Sequence, residues 1–432
     1  MALLLDVSRL LENRHLQTPT GLERVELAYA QHFLHHADGR DLRFVVTWPT
    51  FTGVLDSHSA RTLIKDVAAR WQFHKVSGFH ELQAALNETP DKRRRAPLQI
   101  GAPDRSKGFH DHAYTVASYC KSGLRPLSAR TIAQICRDDS WYIQVAQFRL
   151  DRPKRFRWMA NTKVRGLFML HDLIPIMHPE FCRPGEAKRH TDRVETMLDR
   201  AALIVTNSEF TRQALSDYAA GRTLPRAEVV PLGISTAFAM PRSSPALQAT
   251  IPYFVVIGTI EPRKNLEFLL TLWRRWTNEG QSPRARLVVV GRRGWEIETV
   301  SKLLDQSSGL APTVIEARSL SDADMIALLR GAAALLAPSS VEGFGLPIAE
   351  ALALGVPVVA SDIAAHREVG GTFADYVSPI DGPGWQKALE DYAAPGSPRR
   401  QQRLDALRGY RATTWADHMA RVEQLMAEAG RS

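Results

Sequence analysis

Glu342-Gly-Phe-Gly-Leu-Pro-Ile-Ala-Glu350 is the stretch whose reading decides the fold. It sets two carboxylates eight positions apart, the first on a glycine-rich loop and the second on the helix that follows. Pro347 suits the first helical turn, where the N–H it lacks has no intrahelical partner. Gly343 and Gly345 let backbone N–H groups come close to a ligand. Those N–H groups and the positive end of the helix favour an anion such as a phosphate. The two carboxylates accept hydrogen bonds from sugar hydroxyls. The loop therefore has the chemistry to hold a sugar diphosphate. Two solvated glutamates on an ordinary βα turn would show the same short pattern.

A second segment upstream narrows the choice. Gly258-Thr-Ile-Glu-Pro-Arg-Lys-Asn265 follows the apolar run Tyr253-Phe-Val-Val-Ile257, which reads as a buried strand, and precedes Leu266-Glu-Phe-Leu-Leu270, which starts a helix. Arg263 and Lys264 then lie beyond the C-terminal end of a strand, where open α/β sheets bind ligands. Adjacent cations there neutralise a diphosphate. Taken together, the two segments resemble the C-terminal half of the family-4 glycosyltransferases, retaining enzymes of the GT-B fold. The resemblance covers residues 160–385 well and the N-terminal third more loosely.

The resemblance implies a role for each matching residue. Glu350 is expected on the ribose hydroxyls of a nucleotide and Glu342 on hydroxyls of the donor sugar. The backbone of Phe344, Gly345 and Leu346 is expected against the sugar and the diphosphate. Arg263 and Lys264 are expected to clamp the diphosphate, beside Gly258, and to stabilise charge growing on the leaving group. Leu170-His-Asp-Leu-Ile-Pro175 matches the family's position facing the donor sugar across the cleft. His171 and Asp172 are therefore expected near the sugar. Gly21 lies in Thr18-Pro-Thr-Gly-Leu-Glu-Arg24, the loop after the first strand. Many relatives carry two adjacent glycines there, and this chain has Gly21-Leu22, which leaves the loop's contact with the diphosphate open. Thr206-Asn207-Ser208 either lines the cleft or is a plain turn. Asp322-Ala-Asp324 has the form of a metal-binding D-x-D, but after Ser321 it reads as an N-cap and an acidic first helical turn. No metal and no resident cofactor are expected; the nucleotide sugar is a co-substrate.

Alternating apolar runs and helical patterns extend this reading along the chain. Leu3–Asp6, Phe44–Thr47, Gly166–Leu170 and Leu203–Thr206 read as strands, and Leu22–Phe33 as a helix. Strands are also expected at 253–257, 286–290, 313–316, 333–337 and 356–360. Helices are expected at 265–277, 296–305, 322–330 and 347–354. The fold class is α/β, with two Rossmann-like, doubly wound domains facing across a cleft. An acceptor-binding domain is expected over 1–240 and a donor-binding domain over 241–412. A helix near 413–428 is expected to cross back to the first domain. Residues 88–110, basic and rich in Pro and Gly, read as a long loop, and Val229–Ile234 as the first domain's last strand.

With 432 residues the chain exceeds one core. Three widely spaced cysteines, Cys120, Cys136 and Cys182, form no zinc pattern and point to a reducing compartment. The net charge of +9 is unevenly spread. Residues 1–240 carry 34 Lys and Arg against 25 Asp and Glu, and residues 92–165 carry 17 against 5. Lys92-Arg-Arg-Arg95 and Arg152-Pro-Lys-Arg-Phe-Arg-Trp158 are the densest pieces. Such a surface suits anionic lipid, at about 1 kcal/mol per basic charge, or is a solvated face. The expected place of work is cytoplasmic, peripheral on the inner face of the plasma membrane, with no nucleic-acid partner.

The expected reaction is metal-independent, retaining transfer of a hexose to a lipid-linked or oligosaccharide acceptor in polysaccharide biosynthesis. Family members with His-Asp-Leu-Ile-Pro and Thr-Gly-x-x-Arg-Val segments often use GDP-mannose, so mannose is the favoured sugar. A deoxysugar transferase using dTDP-rhamnose or GDP-fucose, a sugar-nucleotide epimerase and a non-catalytic glycan-binding module are the alternatives.

Overall fold

The structure is a computed structural model. It describes residues 2–16, 19–36, 41–48, 51–72, 78–89, 93–101, 125–127, 131, 134–136, 140–239, 245–278, 284–318 and 320–430. Among the described residues nine short strands precede residue 240. They are β1 (Ala2–Asp6), β2 (Asp41–Thr47), β3 (Thr52–Leu55), β4 (Leu98–Ile100), β5 (Arg125–Pro126), β6 (Trp141–Gln144), β7 (Arg165–Leu170), β8 (Ala201–Thr206) and β9 (Arg226–Val229). Six more follow: β10 (Tyr253–Ile257), β11 (Arg286–Val290), β12 (Val314–Ala317), β13 (Ala334–Ala337), β14 (Val358–Ser361) and β15 (Asp375–Val377).

The strands form two sheets, ordered β5-β3-β2-β1-β6-β7-β8-β9 and β15-β14-β13-β10-β11-β12-β4. The second sheet is parallel throughout; in the first, only the β2–β3 and β3–β5 pairs are antiparallel. Helices cover both faces of each sheet, so consecutive strand residues feed opposite cores. Leu3 and Leu5 face one cluster and Leu4 another; Tyr253 and Val255 likewise oppose Phe254 and Val256. Burial on both faces is why these strands read as unbroken apolar runs. This is the pair of doubly wound α/β domains expected from the sequence.

The chain does not divide cleanly at residue 240. The helix Gly78–Asn87 and β4 leave the first sheet and dock on the second, where β4 pairs in parallel with β12. Leu82, Ala85, Leu86 and Ile100 join that domain's core. Gln83 and Asn87 fasten the excursion through hydrogen bonds to the backbone of Gln248. The long loop expected at 88–110 therefore contains an edge strand; residues 90–92 and 102–110 of it lie outside the described residues. Three residues between Pro97 and Gly101 are too few to show a strand's period of two. The strand expected at Val229–Ile234 lies earlier, at Arg226–Val229. Arg93–Arg95 sit beside β4, whereas Arg152–Arg157 belong to the first domain, so the two basic pieces are carried by different domains. Phe156, within the second of these pieces, is fully buried in the first domain's core. Among the described residues no helix is long and apolar enough to cross a membrane.

The last helix, Trp415–Ala429, returns to the first domain. Met419, Val422, Leu425 and Met426 bury into the core under β1 and β8, each contributing about 1.5–3 kcal/mol. Thr414 and Asp417 form a reciprocal cap at its start. His418 fixes the docking: Nε2 meets the Tyr29 hydroxyl at 2.7 Å and Nδ1 meets Pro231 O at 2.8 Å. A carbonyl takes only a donor, so Nδ1 carries the proton and Nε2 accepts from Tyr29. Burial pushes the His418 imidazole down to about 4 from 6.5. The folded state thus refuses a proton that the unfolded chain accepts between those values. This group's contribution is intact above pH 6.5 and is lost as pH falls towards 4, by about 3 kcal/mol in all. In paired denaturant titrations, wild type minus His418→Gln should shrink by that amount over this window. A difference that does not vary with pH would contradict the tautomer and the burial argument.

Candidate active site

The site lies where the C-terminal ends of the second sheet's strands meet the first domain. After β10 the chain makes a short 3₁₀ turn, Pro262–Lys264, which presents Arg263 and Lys264 to the loop before the helix Leu346–Ala353. Glu342 receives both cations, through Arg263 Nη1 and Lys264 Nζ, and a third hydrogen bond from Ser339 Oγ at 2.9 Å. Arg263 Nε also pairs with Glu261 at 2.5 Å. Burial alone would raise the Glu342 carboxyl; Arg263 and Lys264 outweigh it and hold the group well below the usual carboxylate range. Glu261 shows the opposite balance, with burial raising it against the same two cations. The four groups form one compact cluster of two cations and two carboxylates. A cavity of about 30 Å³ borders it, lined by residues including Gly258, Lys264, Ser339, Glu342, Gly345 and His366.

The glycines of the loop have separate reasons. Gly345 is the N-cap of the helix at φ +112°, a conformation that a side chain rarely adopts. Gly343 is required by closeness: a Cβ there would stand 2.3 Å from His171 O, across the domain boundary. Phe344 and Leu346 pack against the first domain's core. Ser208 Oγ donates to Gly343 O at 2.7 Å while accepting from Thr211 N at 3.1 Å. Glu368 accepts from the backbone N–H groups of Glu209 and Phe210 at 2.6 and 2.7 Å, capping a first-domain helix from the second domain. The loop is thus held from both sides of the cleft.

His171 and Asp172 stand at the end of β7, beside that loop. His171 Nε2 lies 2.6 Å from Val145 O, so Nε2 carries the proton and Nδ1 is the acceptor. Burial lowers the His171 imidazole, the hydrogen bond to Val145 opposing it, which keeps the ring neutral at physiological pH. Asp172 Oδ1 accepts from Ile174 N at 3.0 Å, so one of its oxygens orders the turn after the strand. Gly258 follows β10 beneath the Lys264 side chain, with its N–H on Val290 O at 2.9 Å. Gly21 is the first residue of the helix Gly21–His35, and a Cβ there would meet open space. Nothing local demands glycine at that position.

Glu350 sits one turn into its helix, buried and apart from the Glu342 cluster. Burial raises its carboxyl to about 7, with Arg24 opposing and Asp322 adding to the rise. Asp322 opens the helix Asp322–Gly331, whose N-cap Ser321 accepts from Asp324 N at 3.1 Å. The D-x-D segment is therefore the helix start expected. Asp322 also takes a two-pronged contact from Arg24 across the domains, at 3.2 and 2.6 Å.

Four residues of the site were not assigned a role from sequence. Ser208 reads from sequence as either cleft lining or a plain turn, and Arg24 only as part of a motif. Glu368 and His366 gave no signal, because their partners are more than a hundred residues away or lie on a neighbouring loop. His366 borders the cavity, with Nδ1 on Ser361 O at 3.1 Å.

Comparison with known proteins agrees with this geometry. The model of the family "Glycosyl transferases group 1" matches residues 242–375. The O-antigen chain mannosyltransferase B of Escherichia coli is 33% identical over 273 residues, covering 55% of this chain and 68% of that protein. The serotype-specific mannosyltransferase WbdA of Escherichia coli is 29% identical over 249 residues, covering 52% of this chain and only 29% of that protein. The sucrose-phosphate synthase of Thermosynechococcus elongatus superposes with a TM-score of 0.58 at 14% identity, over 99% of this chain and 98% of that one. The N-terminal domain of Candida albicans trehalose-6-phosphate phosphatase gives 0.57 at 15%, over 99% and 96%. At such identities the structural likeness speaks for the GT-B fold alone. With a third of the aligned residues shared with mannosyltransferase B over two thirds of its length, the chain belongs to the group 1 glycosyl transferases: it is a glycosyltransferase of the GT-B fold.

Proposed function

We propose that the chain transfers mannose from GDP-mannose to a lipid-linked or oligosaccharide acceptor, with retention and without a metal ion. The observation that carries this reading is the Arg263–Lys264–Glu342 cluster at the strand ends, with Glu350 a helix turn beyond. In the absence of donor the cations and carboxylates neutralise one another. An arriving diphosphate takes over Arg263 and Lys264, and Glu342 is released to accept hydrogen bonds from sugar hydroxyls. Glu350 takes the ribose, and the Phe344–Leu346 backbone lies along the sugar and the diphosphate. Gly258 gives Lys264 room to reach the phosphates.

The two cations supply the charge stabilisation that a divalent ion supplies elsewhere. His171, neutral and with Nδ1 as acceptor, faces the loop from the first domain and receives a hydroxyl of the sugar. Retention follows if the leaving phosphate, on the same face as the acceptor, takes the acceptor's proton. The names of the two Escherichia coli relatives support mannose as the sugar and a surface polysaccharide as the product. Exposed Arg152, Lys154 and Arg157 on the first domain favour attachment to an anionic membrane surface from the cytoplasmic side.

The test is acceptor-dependent release of GDP from GDP-mannose with excess EDTA present. Full turnover and an α-linked product, read by proton NMR, are expected. Loss of turnover restored by manganese would overturn metal independence. GDP released equally without acceptor would overturn transfer. Turnover with a deoxysugar nucleotide and not with GDP-mannose would move the donor to the alternative class.

A further inference from the structure

Arg24 and Asp322 form a two-pronged bridge between the domains, and the charges of both act on the buried Glu350. Arg24 projects from the fourth residue of the helix Gly21–His35, whose start is fixed by the reciprocal cap between Thr20 and Glu23. Glu23 cannot neutralise Arg24. Its carboxylate already receives Arg9 Nε at 2.6 Å, Asn13 Nδ2 at 2.6 Å and Thr20 N at 2.7 Å. Among the described residues the carboxylates that act on Arg24 are Asp322 and Glu350, both from the second domain. The Arg24 side chain is only 28% exposed and that of Asp322 22% exposed, so water screens the bridge weakly.

Among the described residues Arg24 and Asp322 are the charged groups that act on Glu350. Of the elements packed on its helix, β13, β14 and the helix Thr236–Ala239 carry no ionisable side chain. On the helix Ala364–Gly370, His366 acts with Glu342, Arg367 pairs with Asp362, and Glu368 caps Glu209 and Phe210. A buried carboxylate set between one cation and one anion is charged or neutral according to that pair.

We propose that Arg24 is a positioning residue of the donor site: set against the opposing charge of Asp322, it keeps the Glu350 carboxylate ionised to accept two adjacent hydroxyls of the nucleotide's ribose. A first-domain residue thereby completes a second-domain subsite, and the ribose subsite is ready only when the domains meet. This inference rests on the donor reading given above and adds to it the residue that couples closure to nucleotide binding. Burial that lifts Glu350 to about 7 makes the coupling measurable.

The experiment is calorimetric titration with GDP and with UDP across a pH range of about 5 to 9, for wild type, Arg24→Gln and Asp322→Asn. Wild-type affinity should weaken as pH falls through about 7. Arg24→Gln should move that inflection to higher pH by about 1 or more, and Asp322→Asn should move it lower. A merely structural bridge would lower affinity in both variants without moving the inflection. An unmoved inflection, or movement in the same direction in both, overturns the proposal. If Arg24→Gln fails to fold, Asp322→Asn decides alone: a downward move supports the proposal, and no move or an upward one overturns it. Failure of wild type to bind either nucleotide at any pH would instead overturn the donor reading itself.

Discussion

Lys264→Ala should lower turnover by about 100- to 1000-fold, the usual cost of removing one preorganised contact to developing charge. Lys264 Nζ meets Glu342 at the mouth of the cavity lined by Gly258 and Gly345. On the proposed reading the same ammonium faces the diphosphate as the bond between sugar and phosphate breaks and negative charge grows. The fold should survive the substitution. Glu342 keeps Arg263 and Ser339 as partners, so no buried charge is left unpaired. Initial rates and thermal unfolding on the same preparation separate the two effects. Wild-type turnover in the variant would remove Lys264 from the donor site.

Gly343→Ala is expected to act as strongly through sterics alone. The added Cβ would stand 2.3 Å from His171 O and 2.9 Å from Asp172 Cβ. The first is a backbone atom and cannot rotate away, so the domains must separate by an amount on the order of 1 Å. Misplacement of that size costs roughly 100-fold in rate. Each domain has its own core, so unfolding should change little while the closed arrangement is lost. Turnover with saturating donor and acceptor is the readout, with small-angle scattering to register the opening. Unchanged turnover would mean that the close approach of residues 171 and 343 is not part of the reacting state.

Local chemistry was the legible part of this molecule. Tyr253–Ile257 and Arg286–Val290 were read to the residue as strands, because burial on both faces leaves an unbroken apolar run. The Glu342–Glu350 loop announced its geometry through two glycines and a proline, and the helix after Ser321 through its cap. Family resemblance points to a helix near 413–428 crossing back, and Trp415–Ala429 buries its apolar face in the first domain's core.

What escaped was long-range. Leu98–Ile100 completes a sheet whose other strands begin more than 150 residues later, and three residues carry no periodicity. Arg24 meets Asp322 across 298 positions, and Ser208 meets Gly343 across 135. Each looks like a plain turn or surface residue until the domains are set together. The charge state of the site was equally hidden. That Glu342 is saturated by Arg263, Lys264 and Ser339, whereas Glu350 is raised by burial, follows from packing and not from the spacing of two glutamates.

On the proposed reading a nucleotide sugar spans the Lys264–Glu342 cluster at the strand ends and Glu350 on the helix that follows. Thermal unfolding with a nucleoside diphosphate tests it most directly. At a hundredfold excess over its dissociation constant the ligand should add about 2.7 kcal/mol to wild-type stability. The same concentration should add almost nothing to a Lys264→Ala, Glu350→Ala double variant that unfolds normally without ligand. Equal stabilisation of both proteins by GDP and UDP would contradict the assignment.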